Sequence, residues 1–177
     1  CAGPRTRVVN LKSRMVLPGL LDAHVHAANG AMAELYDCVF PATVTPEQLR
    51  PIVEACARKT PAGAWIVGGN WGSAFFEHYP ISSPRGWLDA LAGDHPVMLS
   101  DDATHNAWVN SAALKLAGVG AETPDPEGGR FVREADGRTP NGVALESAAD
   151  VVGKAMTART PEQLNAGVAR VQDIAHR

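Results

Sequence analysis

The amino-acid sequence predicts an α/β fold in which a parallel sheet is covered by helices. Short apolar runs typical of buried strands alternate along the chain with segments whose apolar residues recur at helical spacing. The pentapeptide Thr-Pro-Glu-Gln-Leu opens two of the predicted helices, at Thr45 and at Thr160. That repetition fits recurrent strand–helix units, although the simpler explanation is a favourable helix start that is used twice.

The predicted strands are short and are bounded by turn residues. Two strands, over 7–11 and 15–17, are joined by a polar turn over 12–14. A buried strand over 20–25 follows a Pro-Gly pair, and a loop of small residues then extends through Ala33. Four further strands are predicted over 64–68, 96–100, 130–132 and 143–145, the last two flanking an Asp-Gly turn.

Capping signals locate the predicted helices. The first clear helix begins at Thr45, where a capping box carries proline at the first helical position, and Pro61 ends it. Two shorter helices are predicted over 83–93 and 111–116, and the last helix begins at Thr160. The residues expected to point inward from this last helix are Leu164, Val168, Val171 and Ile174.

The composition is that of an ordinary globular domain, with 45% hydrophobic and 20% charged residues. The formal net charge of -3 gives no reason to expect nucleic acid or an anionic membrane as a partner. No apolar run approaches the ~18 residues that are needed to span a bilayer. No basic segment followed by an apolar one indicates a secretory signal.

The cysteines Cys1, Cys38 and Cys56 are odd in number and lie at no metal-like spacing. They are therefore predicted to be unpaired thiols in a reducing compartment, which favours the cytoplasm. A mature lipoprotein can also begin with cysteine, but one residue at one end of a chain is weak support for that alternative.

The segment that indicates chemistry contains Asp22, His24 and His26. Alternate side chains of a strand point to the same face, so these three are expected to lie on one side. Two imidazoles at this spacing are ~7 Å apart at the backbone, and their rings can converge on one divalent cation with metal–nitrogen distances of ~2.0–2.1 Å. The alternative is a pair of solvated or hydrogen-bonded histidines at the end of a strand.

The run over 16–26 closely resembles the first barrel strand of the amidohydrolase superfamily, where a PGxxDxHxH segment leaves a small β-sandwich and enters the barrel. The chain also resembles the YtcJ-like branch, the amidohydrolase 3 group. Gly72 stands where that branch usually has Asp, and Ala103-Thr104 stands where it usually has Asp-Gly before His105. The segments that carry this second resemblance are 65–71, 96–100, 105–114, 124–129 and 140–146.

The resemblance implies a partial (β/α)8 barrel of amidohydrolase type over 18–177, preceded over 1–17 by the last strands of a β-sandwich. A complete barrel typically needs ~250 residues, and this chain supplies about four of its strands. The sequence begins in mid-strand and ends on a helix with no strand after it, so both ends are expected to be truncated. The remaining ligands and a late catalytic Asp are expected downstream, so this chain alone is expected to be inactive.

The resemblance also implies a divalent metal held by His24, His26 and a carboxylate, for which Glu146 is the candidate. Zn²⁺ suits imidazole and carboxylate ligands, and Fe, Mn or Co would also fit. His105 is expected to bind the substrate or to polarise its carbonyl, and Trp71 and Trp108 are expected to contact the substrate.

Each of these site residues also has a structural alternative. Glu146 can simply open a helix at its positive end, His105 can be structural, and the two tryptophans can be packing residues. The carboxylates of Asp101 and Asp102 are predicted to organise a loop or to cap a helix. His78, His95 and His176 are predicted to be surface residues.

The activity that the resemblance implies is hydrolysis of an amide-like C–N bond of a small molecule by a metal-activated water. Two alternatives remain open. One is a catalytically incomplete barrel fragment that acts only through association with a partner surface, because a half barrel exposes sheet edges and apolar faces. The other is a deaminase of the same superfamily. A homo-oligomer is likewise left open by the sequence.

Overall fold

The computed structural model describes residues 3–19 and 24–176. Within them a six-stranded sheet has the order β1-β2-β3-β4-β6-β5. Its helices and strands confirm the predicted mixture of α and β structure. The strands are β1 Cys38–Val39, β2 Ile66–Trp71, β3 Val97–Asp101, β4 Asn106–Val109, β5 Gly129–Arg133 and β6 Pro140–Glu146.

Helices lie before, between and after the strands, and most of them contact the sheet. They are α1 Ala27–Tyr36, α2 Pro46–Lys59, α3 Phe75–His78, α4 Pro84–Ala92, α5 Ser111–Leu116, α6 Ser147–Gly153 and α7 Pro161–Ala175. None of the helices in the described ranges is long and apolar enough to cross a membrane.

Two of the helix starts that the sequence predicts are confirmed in atomic detail. Thr45 and Thr160 are the N-caps of α2 and α7, and each forms a complete capping box with the Gln three residues later. In both boxes the threonine hydroxyl accepts from the glutamine backbone N–H, and the glutamine side chain accepts from the threonine N–H. These reciprocal bonds satisfy two of the donors that a helix start leaves unpaired.

The sheet is parallel only in its first half. β1, β2 and β3 run parallel, whereas the β3–β4, β4–β6 and β5–β6 pairs are antiparallel. The prediction of a parallel sheet is therefore wrong for the second half, and β4 was not predicted as a strand. Only residues 102–105 separate β3 from β4, and a parallel crossover needs a dozen residues or more.

The segments nearest the amino terminus differ from the prediction. Residues 7–11 and 15–17 form no strand and are exposed, although the turn between them is present with Lys12 and Ser13 at positive φ. A strand needs a neighbour for its backbone groups, and neither segment pairs with the described part of the sheet. Most of the predicted strand over 20–25 lies outside the described residues, and its last two residues are not in a strand.

The expected small-residue loop after His26 is a helix, α1. Its sequence, AANGAMAELY, is rich in alanine, which has the highest helix propensity of all residues. Ala31 buries its side chain, and α1 packs along α7. Arg170 of α7 forms an ion pair with Glu34 of α1, and a second ion pair joins Arg159, just before α7, to Asp37, the C-cap of α1.

The predicted inward face of α7 is wrong for three of its four residues, and the fourth, Val171, is half-buried. Leu164, Val168 and Ile174 are exposed, whereas Gly167 is buried against Met32 of α1. A glycine lets two helices approach closely, so α7 is rotated about its axis to place its small residues against α1. The apolar stripe of α7 consequently faces outward.

Two hydrophobic clusters hold the sheet and helices together. The first joins α2, α4 and the parallel strands and includes Trp71 and Trp108. The second lies around β4, β6 and α6, with Phe131 and Val152 among its members. Both clusters pack against the sheet, so the edge of the sheet where the strands end is a rigid platform.

Cys38 and Cys56 form a disulfide that joins β1 to α2. The prediction of unpaired thiols is therefore wrong for these two residues. Their distance along the chain gave no sign of the pairing, which arises because α2 folds back on the strand that precedes it. The prediction of a cytoplasmic location rested on unpaired thiols, so this disulfide removes its support, and the location stays a prediction. Cys1 lies outside the described residues.

Candidate active site

Three polar residues meet where β3 ends, β4 begins and β6 ends. Asp101 is the last residue of β3, His105 precedes β4, and Glu146 is the last residue of β6. In the antiparallel β4–β6 pair, Asn106 lies opposite Leu145. That register places the residue before Asn106 beside the residue after Leu145, so the sheet itself brings His105 and Glu146 together.

His105 and Glu146 are hydrogen-bonded through their side chains. His105 Nδ1 lies 3.0 Å from Glu146 Oε2, and the two side chains are 63% and 57% exposed. An ionised carboxylate only accepts, so Nδ1 must carry the proton in this contact. In the neutral ring, Nε2 is then the basic nitrogen. The pair can therefore hold a proton at Nδ1 and accept one at Nε2.

Asp101 organises the loop that presents His105. Asp101 is 1% exposed, and its Oδ1 accepts from the backbone N–H groups of His105 and Asn106 at 2.9 and 3.0 Å. Oδ2 accepts from Asn106 Nδ2 at 2.7 Å. Within this loop Thr104 has φ 61, a conformation that L-residues rarely adopt. The prediction of a loop-organising role for Asp101 is confirmed.

Asp102 and Ser73 extend the polar network toward a cleft. The carboxylate of Asp102 accepts from the backbone N–H of Ser73 at 3.1 Å and from its hydroxyl. The cleft beside them has a volume of about 430 Å³ and is lined in part by Gly72, Ser73, Phe75 and Asp102. It lies at the carboxyl ends of the parallel strands β2 and β3, where open α/β sheets bind ligands.

Glu146 has an unusual backbone. Its φ and ψ are 51° and −128°, and it is the N-cap of α6 without a side-chain capping bond. A residue other than glycine in this region costs on the order of 1–3 kcal/mol, and such strain clusters at functional sites. The carboxylate is therefore free of a helix-capping contact and is bonded to His105 instead.

His24 and His26 lie before and at the N-cap of α1, and both are exposed. Their ring centres are 5.2 Å apart, with the ring planes nearly perpendicular. Two rings bound to one tetrahedral Zn²⁺ through nitrogens at about 2.0–2.1 Å have centres roughly 5 Å apart. The contact between the rings is edge-to-face, and the separation of their centres is also close to that of two ligands of one metal ion.

The two histidines do not meet Glu146 in a complete site. Residues 3–19 and 24–176 contain no group of three or more His, Cys, Asp or Glu that could hold a metal. The described structure thus offers a histidine pair and, separately, the His105–Glu146 pair. Asp22, which the sequence places on the same strand face as the histidines, lies outside the described residues.

Trp71 and Trp108 occupy the core. They are 2% and 0% exposed, and their indole N–H groups donate to the carbonyls of Leu99 and Pro84 at 2.9 and 2.8 Å. Trp108 also makes an edge-to-face contact with Phe76. These positions match the packing alternative and leave no surface of either ring for a substrate to contact.

Local hydrogen bonds account for the imidazoles of His78 and His95, and His176 lies at the end of a helix. His78 Nδ1 lies 2.9 Å from the carbonyl of Ala74, and His95 Nδ1 lies 3.0 Å from that of Ala64. His176 is the exposed C-cap of α7. His78 and His176 are thus surface residues, as predicted, whereas His95 is partly buried.

A family profile described as "Amidohydrolase family" matches residues 7–175 of the chain. The chain belongs to the amidohydrolase family. Among the relatives of this amidohydrolase-family chain, the N-substituted formamide deformylase of Arthrobacter pascens is 35% identical over 85% of this chain and 28% of its own length. The Bacillus subtilis (strain 168) protein YtcJ is 32% identical over 86% of this chain and 28% of its own length. The amidohydrolase-family chain therefore spans about a quarter of the length of these relatives.

The fold of the amidohydrolase-family chain is also similar to solved structures. One is an uncharacterized metal-dependent hydrolase from Pyrococcus horikoshii OT3, with a TM-score of 0.56 and 21% identity over 88% of this chain and 28% of that one. A second, from Pyrococcus furiosus, has a TM-score of 0.53. At this identity the likeness concerns the fold alone.

Two members of the polar network, Ser73 and Asn106, were not predicted as site residues from the sequence. The consecutive aspartates at the end of the predicted strand over 96–100 were a signal, because two carboxylates after a buried strand need donors nearby. Which donors they would find depends on β4, and that strand was not predicted.

Proposed function

We propose that this chain is part of a metal-dependent hydrolase that cleaves an amide-like C–N bond of a small molecule. It contributes the metal-binding pair His24 and His26 and the acid–base pair His105 and Glu146. The observation that carries the proposal is the 5.2 Å separation of the His24 and His26 rings, which fits one shared metal ion. Membership of the amidohydrolase family supports the reaction class. The name of the Arthrobacter relative, a deformylase of N-substituted formamides, supports an N-acyl or N-formyl substrate.

His24 and His26 would hold the metal through their imidazole nitrogens, and Glu146 is the carboxylate proposed to join them. The donor set favours Zn²⁺, and Fe, Mn or Co would also fit. When bound, such an ion polarises a substrate carbonyl and lowers the pKa of a coordinated water. A (β/α)8 barrel would supply the remaining ligands, and the parallel β1–β2–β3 part of the sheet supports that architecture.

His105 would act on the substrate. With Nδ1 held by Glu146, the neutral ring presents Nε2 as a base, which can accept a proton from the attacking water and then donate it to the leaving amine. The same ring can donate to a substrate carbonyl only when Nε2 is protonated. The cleft beside Ser73 and Asp102 is the proposed place for the acyl group.

Hydrolysis should be measured in the longest natural polypeptide that contains these 177 residues. Formate or carboxylate release from a panel of N-formyl and N-acyl amines is expected, and the His24→Ala/His26→Ala variant should abolish it. His176→Ala is the matched control because this histidine is an exposed helix cap, and it should retain full activity. Ammonia release from ring substrates without amide cleavage would contradict the proposal and favour a deaminase.

A second candidate, association of this chain with a second copy of itself, is favoured by the outward apolar stripe of α7. Leu164, Val168 and Ile174 are exposed on one helix, and exposed apolar patches mark interaction sites. Light scattering with size-exclusion chromatography tests this candidate. The unaltered chain should associate, whereas Leu164→Ser/Val168→Ser should remain monomeric. A monomeric unaltered chain would overturn this candidate.

A further inference from the structure

We propose that Asn106 is the positioning residue of the His105–Glu146 pair. The inference rests on the proposed function only in that the pair takes part in hydrolysis. The geometry of the pair stands independently of that role. Asn106 is the first residue of β4 and lies between the buried carboxylate of Asp101 and the backbone of Glu146.

Both polar atoms of the Asn106 side chain are engaged. Nδ2 donates to Asp101 Oδ2 at 2.7 Å, and Oδ1 accepts from the backbone N–H of Glu146 at 3.2 Å. A carboxylate accepts but does not donate, so it requires the amide nitrogen on its side. The oxygen is then directed to Glu146. Asp101 thus fixes which way the amide faces.

Asn106 is also fixed through its own backbone. Its N–H donates to Asp101 Oδ1 at 3.0 Å, and the neighbouring N–H of His105 donates to the same oxygen at 2.9 Å. One buried carboxylate therefore holds the backbone of His105 directly and the backbone of Glu146 through Asn106. The two members of the exposed pair share one rigid support.

Glu146 needs such support because its φ of 51° is strained. The turn is held on its other side by Gly129, which pairs with Glu146 in the β5–β6 ladder. A Cβ on Gly129 would lie 2.5 Å from the backbone nitrogen of Ala148, so only glycine permits this approach. Ser147 Oγ adds a bond to the carbonyl of Glu127 at 2.6 Å.

Removal of the Asn106 amide would leave the Glu146 N–H without its acceptor and free the strained residue to relax. A change of φ at Glu146 rotates its side chain away from His105. The bond between Nδ1 and Oε2 would then be lost while the sheet and core remain. Asn106 therefore acts on the pair through the backbone of Glu146 and touches no reacting atom itself.

The test is ¹⁵N NMR of the His105 imidazole in this chain. The wild type should show the Nδ1-protonated tautomer with a hydrogen-bonded proton, and Glu146→Gln identifies the signal by changing it. Asn106→Ala should lose that signature. Asn106→Ser covers the case in which the alanine variant does not fold, because the serine side chain is one bond shorter than the amide and its hydroxyl falls short of the two partners.

Asn110→Ala is the matched control at the other end of β4. Asn110 is buried and bonds to Val97, His95 and Ala113, so its loss should lower stability but leave the His105 signature unchanged. A wild-type signature that persists in folded Asn106→Ala or Asn106→Ser would overturn the proposal. So would its loss in a folded Asn110→Ala variant.

The positioning role and the proposed function fail in different ways. In an active polypeptide, Asn106→Ala should lower kcat by on the order of 10²-fold with little change in KM, as expected for a displaced catalytic group. An inactive, metal-free polypeptide with the NMR signature intact in the wild type and lost in Asn106→Ala would contradict only the hydrolase function. Unchanged kcat in Asn106→Ala would overturn the positioning role.

Discussion

His105 Nδ1 lies 3.0 Å from Glu146 Oε2, although 41 residues separate the two along the chain. The antiparallel register of β4 and β6 brings their backbones together, and the strained φ of Glu146 sets the direction of its carboxylate. The exposed pair therefore depends on a locally unfavourable backbone conformation that the surrounding sheet maintains. Stability and site geometry are in opposition at this residue.

Glycine at position 146 should stabilise the fold relative to alanine. Glycine adopts positive φ without a steric penalty, so Glu146→Gly is expected to exceed Glu146→Ala in free energy of unfolding by about 1 kcal/mol or more. Urea denaturation of the two variants measures the difference. The same substitutions at Arg130, an exposed strand residue with ordinary φ, should give the opposite order. Equal free energies of unfolding for Glu146→Gly and Glu146→Ala would contradict backbone strain at this position.

Trp108 should behave as a core residue. Trp108→Ala is expected to lower the free energy of unfolding by about 3–5 kcal/mol because it leaves a large cavity. Trp108→Phe should lower the free energy of unfolding by less, because much of the ring volume is kept. Its remaining cost includes the lost hydrogen bond to the carbonyl of Pro84. Thermal and urea denaturation measure both variants. A folded Trp108→Ala variant of unchanged stability with weakened substrate binding would instead support a pocket role.

Reduction of the Cys38–Cys56 disulfide should destabilise the chain. The bond spans a sequence separation of 18, and a closed loop of this size contributes roughly 3 kcal/mol in the chain-entropy estimate. Denaturation with and without a thiol reductant measures the effect. The Cys38→Ala/Cys56→Ala variant is the control, since its stability should not respond to reductant. An equal response in both proteins would contradict the structural bond.

The hairpin turn at Asp136 should make stability depend on acid pH. Hydrogen bonds from the Thr139 hydroxyl and from the backbone N–H groups of Arg138 and Thr139 lower the pKa of Asp136 from 3.8 to about 2. Because the pKa is lower in the folded state, the stabilisation is complete above about pH 4 and is lost as the pH falls toward about 2. The excess stability of wild type over Asp136→Asn should therefore be constant from pH 7 to 4 and shrink below. An excess stability that grows on acidification would contradict a lowered pKa of Asp136 in the folded state.

Local signals in the sequence located most elements. The capping boxes at Thr45 and Thr160, the proline at the start of α4 and the turn between β5 and β6 act within a few residues of the chain, so they are visible in sequence. Glu146 and His105 were likewise predicted as site residues from their positions near strand ends. Their contact with each other was not predicted, because it depends on the register of β4 and β6.

The errors have a common physical origin in contacts between distant segments. Pairing of Cys38 with Cys56 requires α2 to fold onto β1, and the rotation of α7 follows from the fit of Gly167 against Met32. The direction of β4 follows from the four-residue connection after β3. None of these relations is encoded in a periodicity or a cap, so propensity and pattern alone could not supply them.

Metal content per chain is the most direct test of the proposed hydrolase site. Elemental analysis of purified protein should find a divalent metal, most of it lost in the His24→Ala/His26→Ala variant and retained in His176→Ala. The centres of the two histidine rings lie 5.2 Å apart, and we expect this pair to be required for metal binding. Metal that remains in the double variant, or a polypeptide as long as the relatives that binds no metal, would contradict the proposed site.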